Sequence, residues 1–544
     1  MPQVASAASA HVDRFARDRL PPPALMPELI FELPQLQFPP RLNCATDLLD
    51  RHIAAGHGER LCIQGADVRW SYAEFQAEAN RIAHVLVQQM GLVPGHRVLL
   101  RGANSPMLAA CWFAVVKAGG IAGGIMPLLR ARELATIALK AQISHALCDI
   151  RLAEELALAL PQCPTLRHIA HFGGEARELE TRAATLPATF NNVDTAADDI
   201  CLIAFTSGTT GVPKGTMHNH RDVMAACACG PPHVLRPTAD DVFIGSPPLA
   251  FTFGLGGLLL FPLAVGASTV LLERATPDTL PAAIEAYGAT VCFSAPTSYR
   301  AVAMAVIEGR CSHRLGSLRK CVSAGEALPA PTRALWQQAT GLTLIDGIGS
   351  TEMLHIFISA DEATARPGAT GVPVPGYRAI IVDEQGQELP PGQVGRLAVK
   401  GPTGCKYLDD PRQANYVQNG WNLTGDAYLI DADGQFVYQA RTDDMIVSGG
   451  YNIAGPEVEA ALLLHPAVAE CGVVGAPDEA RGMVVKAFVV LKPGFEAGDT
   501  LARTLQDFVK QTIAPYKYPR EITFRSALPR TETGKLQRFR LKEA

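Results

Sequence analysis

The stretch CLIAFTSGTTGVPKG, residues 201–215, joins two signals in one place. CLIAF is a short apolar run of strand type. The loop behind it, TSGTTGVPKG, packs four hydroxyl-bearing residues, three glycines and a lysine into ten positions. A strand ending in such a turn can aim backbone N–H groups and hydroxyls at phosphate oxygens, with the lysine adding a full charge. The Walker template G-x-x-x-x-G-K-[ST] does not fit. Counted from Gly208, its second glycine falls on Pro213, and Lys214 is followed by Gly215 rather than Ser or Thr. Phosphates held here are therefore held outside the usual nucleotide-hydrolase arrangement. Taken alone, the loop reads better as a flexible polar connection between strand and helix, so its neighbours decide.

Those neighbours alternate. WSYAEFQAEANRIAHVLVQQMG (70–91) has apolar residues at helical spacing, with Ser71 as cap and Gly91 as stop; HRVLLRGA (96–103) is strand-like, and PMLAACWFAVVKAGG (106–120) is helical again. Alternation of this kind predicts α/β layers around largely parallel sheets. Further apolar runs end in glycine, hydroxyl or acidic residues: VCFSAPT (291–297), CVSAGEAL (321–328) and TLIDGIGSTE (343–352). In an open α/β sheet ligands sit beyond the carboxyl ends of the strands, so these loops predict one composite site.

At 544 residues the chain exceeds what one core supports, about 250–300 residues. Apolar residues make up 48% and charged residues 19%, and the net charge of -5 argues against a nucleic-acid binder relying on bulk attraction. Thirteen cysteines without a CxxC pair read as buried thiols in a reducing compartment. Residues 1–12 show no signal-peptide pattern, so cytoplasm is the expected location. Val242 to Leu272 is uncharged and about the length of a membrane span, yet Pro262 and the glycines at 254, 256, 257 and 266 predict buried core instead. No membrane partner is expected.

Residues 18–40, rich in proline, predict an extended surface lead-in. After GWNLTGD (420–426) and YQARTDDMIVSGGYNI (438–453) a new α/β pattern begins. It comprises a helix at GPEVEAALLLH, strands at ECGVVG and KAFVVL, and a helix at LARTLQDFVKQTI, with Leu501, Leu505, Phe508, Val509 and Thr512 on one face. The expected organisation is a large layered α/β domain over 1–440, of which 1–40 is lead-in, a hinge at 441–444, and a small mobile α+β domain over 445–544.

FTSGTTGVPKG, SAGEALP, GIGSTE, LTGD, RTDDMIVSGGYNI and PRTETGK occur in the order and with the spacing of one family. The chain resembles the adenylate-forming superfamily of acyl-CoA ligases, adenylation domains and luciferases over roughly residues 45 to 540. Through GSPPLAFTFGLGGLLLFPL and DGIGSTEMLHIF it is most similar to the benzoate group, in particular its 2-aminobenzoate branch. The resemblance implies an ATP-dependent ligase that converts a carboxylate to acyl-AMP and then to acyl-CoA, with ATP, magnesium and coenzyme A as substrates and ion and no tightly bound cofactor.

By resemblance, Thr206, Ser207, Gly208, Thr209, Thr210 and Lys214 cradle phosphates, and Glu352 holds magnesium. Ser323, Ala324, Gly325 and Glu326, with Asp346, Gly347, Ile348, Gly349, Ser350 and Thr351, line the nucleotide, while Asp426 and Arg441 fix the ribose. Lys535 is the catalytic lysine, a point charge on a long stem suited to two anions forced together. Asp443 is the hinge acid, and Ser448, Gly449 and Gly450 border the thiol channel. Ile348 stands where many relatives place tyrosine, and Ala440 replaces the usual glycine before Arg441.

The acid pocket is assigned to Ala250, Phe251, Phe253, Gly254 and His355, a flat apolar slot suited to a small aromatic carboxylic acid. His355 reads equally as a packed core residue, and Thr252 is a candidate acceptor for an ortho-amino group. HNH at 218–220 has metal-like residue types, but two histidines two apart on a helix diverge by about 200°, which favours a structural use. Two readings compete with the ligase: a freestanding aryl-acid adenylation enzyme loading a carrier protein, and a nucleotide-binding regulator without catalysis. A homodimer is compatible with the sequence.

Overall fold

The computed structural model describes residues 7–206, 213–442, 444–448, 451–478, 481–513, 515–530 and 536–543. Ser207, Gly208, Thr209, Thr210, Asp443, Gly449, Gly450 and Lys535 lie outside them.

Among the described residues the strands form four sheets, of nine, six, five and five strands. The nine-stranded sheet has a parallel centre: Leu344–Gly349, Lys320–Ser323, Val291–Ser294, Val242–Gly245, Ser268–Val270 and Leu61–Gln64 lie side by side. The six-stranded sheet is parallel from His168–Phe172 through His145–Asp149, Arg97–Arg101 and Ile121–Ile125 to Ile200–Thr206, and closes with antiparallel Lys214–Asn219. Helices cover both, as βαβ crossovers require. The third sheet is antiparallel, built on Arg378–Val382, Gly395–Lys400, Trp421–Ile430 and Phe436–Arg441. The fourth begins at Ile446–Ser448 and pairs Val468–Asp478 with Gly482–Leu491.

Local signals act as read. Ser71 caps the helix Tyr72–His84 through a capping box with Glu74. The uncharged run folds as helical turns from Thr252 to Val265 followed by the strand Ser268–Val270, and residues 254–263 are all buried. No helix among the described residues is long and apolar enough to cross a membrane.

Three expectations need correction. The proline-rich lead-in carries short turns at Pro23–Leu25 and Pro34–Leu36 and is not a surface tail: Leu36 is buried, Leu29 bridges to Gly401, and Glu28 N–H donates to Gly420 O. Proline removes donors without preventing burial wherever the remaining donors find a strand edge. Thr512 is exposed, its hydroxyl returned to Phe508 O, so the buried face of Asp499–Thr512 narrows to Leu505 and Val509. HNH is not helical throughout: His218 ends in the strand Lys214–Asn219, and His220 starts the helix His220–Gly230.

Candidate active site

The strand Ile200–Thr206 runs antiparallel to Lys214–Asn219 with Thr206 opposite Lys214. The two ends of the glycine-rich loop are thereby fixed at the edge of the six-stranded sheet. Lys214 Nζ donates to the Tyr407 hydroxyl at 3.1 Å, and that hydroxyl donates to Glu352 Oε1. Tyr407 is held in place by its bridge to Thr216. Glu352 is 7% exposed, so a carboxylate that would be solvated on most loops is here buried and oriented. One such carboxylate beside a cationic loop suits magnesium, which takes its other ligands from phosphate oxygens and water.

In the nine-stranded sheet Ser294, Ser323 and Asp346 stand in register at the carboxyl ends of three adjacent parallel strands. Ser294 Oγ is paired with Ser246 Oγ at 2.7 Å, whereas Ser323 Oγ is buried with no protein partner. An orphaned hydroxyl at a strand end suits an external hydrogen-bonding group such as a nucleotide base. Burial pushes the Asp346 carboxyl up to about 7, against the opposing charge of Arg333. Gly349 is required by packing: a Cβ there would lie 2.7 Å from the carbonyl of His355. Ile348 is half-buried in the same strand. Ser350 Oγ meets Tyr416 OH at 3.2 Å, and Thr351 O accepts from His218 Nε2 at 2.8 Å.

Asp426 sits inside the strand Trp421–Ile430, opposite Arg441 of Phe436–Arg441. Arg441 Nη1 donates to Asp426 Oδ1 and to Thr424 O, both at 3.1 Å. Burial raises the Asp426 carboxyl, Arg441 pulls it down, and the negative charge of Glu352 reaches it as well. The structure thus brings Glu352 and Asp426 to one site.

Phe253 and His355 are also brought together. Their ring centroids lie 5.6 Å apart, Phe261 packs edge-on to the imidazole at 4.5 Å, and Phe293 closes a third side at 6.3 Å. Burial lowers the His355 pKa to about 4, so the ring is neutral at physiological pH. Gly256 is the close neighbour that admits it, since a Cβ there would meet His355 Cδ2 at 2.4 Å. A small apolar pocket borders His355, Phe261, Phe293, Ile345 and Ile356. Ala250 borders a second small apolar space with Trp112, Leu255 and Leu259. Phe251 is half-buried at the start of the turn that carries buried Thr252 and Gly254.

Ala324 and Gly325 follow the strand Lys320–Ser323, and Glu326 beyond them lies 3.7 Å from Arg530. Arg530 also bridges to Leu536, so the two flanks of Lys535 meet next to the SAGE loop. Ser448 is buried and pairs with Tyr451 and Gly482. The site contact the sequence reading misses is Tyr407; its isolated bridge to Thr216 leaves no mark in a single sequence.

A strand ending beside a glycine-rich sequence, with the buried acid Glu352 linked through Tyr407 to Lys214, suits a nucleotide-dependent enzyme. The chain belongs to the AMP-binding enzyme family, matched over residues 50–406, with the AMP-binding enzyme C-terminal domain over 457–535. It is 37% identical to a benzoate–CoA ligase of Thauera aromatica across 94% of this chain and 98% of that one. It is 32% identical to a 4-hydroxybenzoate–CoA/benzoate–CoA ligase of Rhodopseudomonas palustris, covering 92% and 94%. Among solved structures, an anthranilate CoA ligase in complex with anthranoyl-AMP matches at TM-score 0.89 and 35% identity, covering 94% and 98%. A benzoate CoA ligase from Burkholderia xenovorans LB400 matches at 0.84 and 31%, covering 92% and 100%. The chain is an AMP-forming CoA ligase, and its substrates include ATP with Mg2+ and CoA.

Proposed function

We propose that the acid is aromatic, 2-aminobenzoate or benzoate. The observation that carries this reading is the imidazole of His355 enclosed by Phe253, Phe261 and Phe293, an apolar surface of flat rings kept uncharged by burial. Such a surface favours a ring over a flexible chain.

In the first step a carboxylate oxygen attacks the α-phosphorus of ATP, and the bond to pyrophosphate breaks. In the second the CoA thiolate attacks the acyl carbon of aryl-AMP, AMP leaves, and the thiol proton passes to solvent. Thr206 and Lys214, with Ser207, Gly208, Thr209 and Thr210 between them, hold the leaving pyrophosphate. Magnesium, when bound, neutralises charge on the phosphates, and Glu352 is its protein ligand. Ser323 to Glu326 and Asp346 to Thr351 enclose the nucleotide, with Asp426 and Arg441 on the ribose. Lys535 stabilises the charge that develops between the two anions. Ala250, Phe251 and Gly254 support the acid site beside Phe253 and His355.

The second step is assigned to a rotation about residues 441–444, with Asp443 as pivot, that withdraws Lys535 and brings Ser448, Gly449 and Gly450 to the thiol channel. This reading is supported by connectivity: the third sheet ends at Arg441 and the fourth begins at Ile446, so a few residues join them.

Release of AMP with benzoate, 2-aminobenzoate, hydroxybenzoates and hexanoate, each with and without CoA, tests the substrate. Benzoate or 2-aminobenzoate is expected to exceed hexanoate in kcat/KM by at least about tenfold, with sustained turnover only when CoA is present. Preference for hexanoate, or turnover indifferent to CoA, overturns the reading.

Tyr407→Phe tests the link between the loop lysine and Glu352. The Mg2+ concentration for half-maximal rate is expected to rise about tenfold, because the ligand loses the group that orients it. An unchanged magnesium profile would remove Tyr407 from the site.

A further inference from the structure

Lys214, Thr216 and His218 alternate along the strand Lys214–Asn219, in register with Thr206, Ala204 and Leu202, and therefore share one face of the six-stranded sheet. Two side chains of that face reach a single turn, the one joining Leu344–Gly349 to Ile356–Ser359. Lys214 reaches it through Tyr407, whose hydroxyl donates to the Glu352 carboxylate. His218 reaches its backbone: Nε2 donates to Thr351 O at 2.8 Å.

Thr351 O and the Glu352 N–H belong to one planar peptide unit, so holding the oxygen fixes the plane from which the Glu352 side chain departs. The turn is not one that settles without help. Leu354 N–H donates to the same carbonyl at 3.2 Å, and Leu354 itself has a φ of 71°, a left-handed conformation rarely adopted by residues with a side chain. A buried histidine bonded to a carbonyl commonly serves packing alone. Two features separate His218 from that case. It is fully buried, and among the described residues Thr351 O is its one hydrogen-bond partner, since Nδ1 stands 3.8 Å from Asp222 Oδ2, beyond hydrogen-bond reach. The carbonyl it holds is also the one directly before the acid that Lys214, four residues earlier on the same strand, reaches through Tyr407.

We propose that His218 is a positioning residue for the adenylation step: by holding the Thr351 carbonyl it sets the direction in which the Glu352 carboxylate leaves the chain. This role rests on the reading of Glu352 as the magnesium ligand. The strand that follows the phosphate loop then grips the acid at two points, at its carboxylate through Tyr407 and at its backbone through His218. A shift of that strand is passed to the acid, so the loop that holds pyrophosphate and the residue that holds magnesium keep their spacing. His218, the first residue of HNH, thus serves a metal site through a carbonyl and not as a ligand.

The test uses the full-length enzyme with ATP and the acid preferred in the substrate panel, and follows pyrophosphate exchange against Mg2+ concentration. His218→Asn shortens the side chain so that its amide no longer reaches Thr351 O, whereas His218→Gln keeps an N–H donor near the place of Nε2. His218→Asn is expected to raise the Mg2+ concentration for half-maximal exchange about tenfold, with the KM of the acid within about twofold, and His218→Gln to recover most of that loss. Conversion of supplied aryl-AMP to thioester, which involves no triphosphate, should stay within about twofold of the parent in both variants. Glu352→Gln, measured alongside, should raise the Mg2+ requirement by at least about tenfold. Should His218→Asn not fold, His218→Leu is read in its place. An unchanged magnesium profile, beside a shifted one for Glu352→Gln, overturns the role of His218 alone. A Glu352→Gln variant with the parent's profile overturns the reading of Glu352, and the role of His218 falls with it. Equal losses in both half-reactions, or a His218→Gln variant no better than His218→Asn, make His218 a packing residue and overturn the proposal.

Discussion

Lys535→Ala is expected to lower formation of the aryl adenylate about a thousandfold, the cost of removing one preorganised charge from a phosphoryl-transfer transition state. The reasoning is electrostatic. A carboxylate and a triphosphate repel as they approach, and the repulsion peaks at the transition state, so a cation placed between them stabilises that state more than either reactant. The flanks of Lys535 support this placement. Arg530 reaches Glu326 of the SAGE loop and pairs with Leu536 across the intervening residues. On the proposed assignment the lysine acts on one half-reaction, so three measurements should separate. Pyrophosphate exchange should fall about a thousandfold, ATP affinity should stay within a few-fold, and conversion of supplied aryl-AMP to thioester should be nearly retained. Lys535→Arg should recover little, since a planar guanidinium does not replace a point charge on a flexible stem. Exchange at the parent rate would sink the assignment of Lys535.

What was legible in the sequence, and what was not, follows from how far each feature reaches along the chain. A strand ending in glycine and hydroxyl residues is a local signal, so Ile200–Thr206, Lys320–Ser323 and Leu344–Gly349 were readable with the polar residues beyond them. Ser71 with Glu74 needed only four residues. The family resemblance added roles that the spacing of residues alone does not give. Tyr407 was not legible, because its partners Lys214 and Glu352 are 193 and 55 residues away, and nothing around GCKYLDD marks it as buried. His355 was undecided between ring contact and core packing. The structure shows the packing, with Phe261 edge-on to the imidazole and a pocket beside the two rings.

Lys406, the residue before Tyr407, leads to the second large effect. Its ammonium is 2% exposed and pairs with Asp222, which is fully buried on the helix His220–Gly230. Lys406 Nζ also donates to Asn219 Oδ1 at 2.8 Å, and Asp222 accepts the Asn219 N–H at 2.9 Å. The pair therefore fastens the segment carrying Tyr407 to the sheet carrying Lys214. Lys406→Met leaves a carboxylate buried without its counter-charge, which costs about 3–5 kcal/mol, and the thermal midpoint is expected to fall by roughly 3–5 °C. A second change, Asp222→Leu, removes the stranded charge and should recover most of the loss while leaving Tyr407 less firmly held; stability and magnesium dependence would then part company. The pH dependence has a definite sign. Burial alone would raise the Asp222 carboxyl, but Lys406, with smaller help from His218 and Arg221, holds it well below the usual carboxylate range. A folded-state pKa below the unfolded value of about 3.9 contributes stability that is full at neutral pH and is lost as pH falls below that value. Without Lys406 the shift reverses: the carboxyl rises, and the folded variant is relieved by taking up a proton. The gap in midpoint between parent and Lys406→Met should therefore be widest at pH 7 to 8 and narrow toward pH 5, read by thermal unfolding across that range. A variant within 1 °C of the parent at pH 8, about the shift expected from 1 kcal/mol in a chain of this length, would show that the pair contributes little to stability.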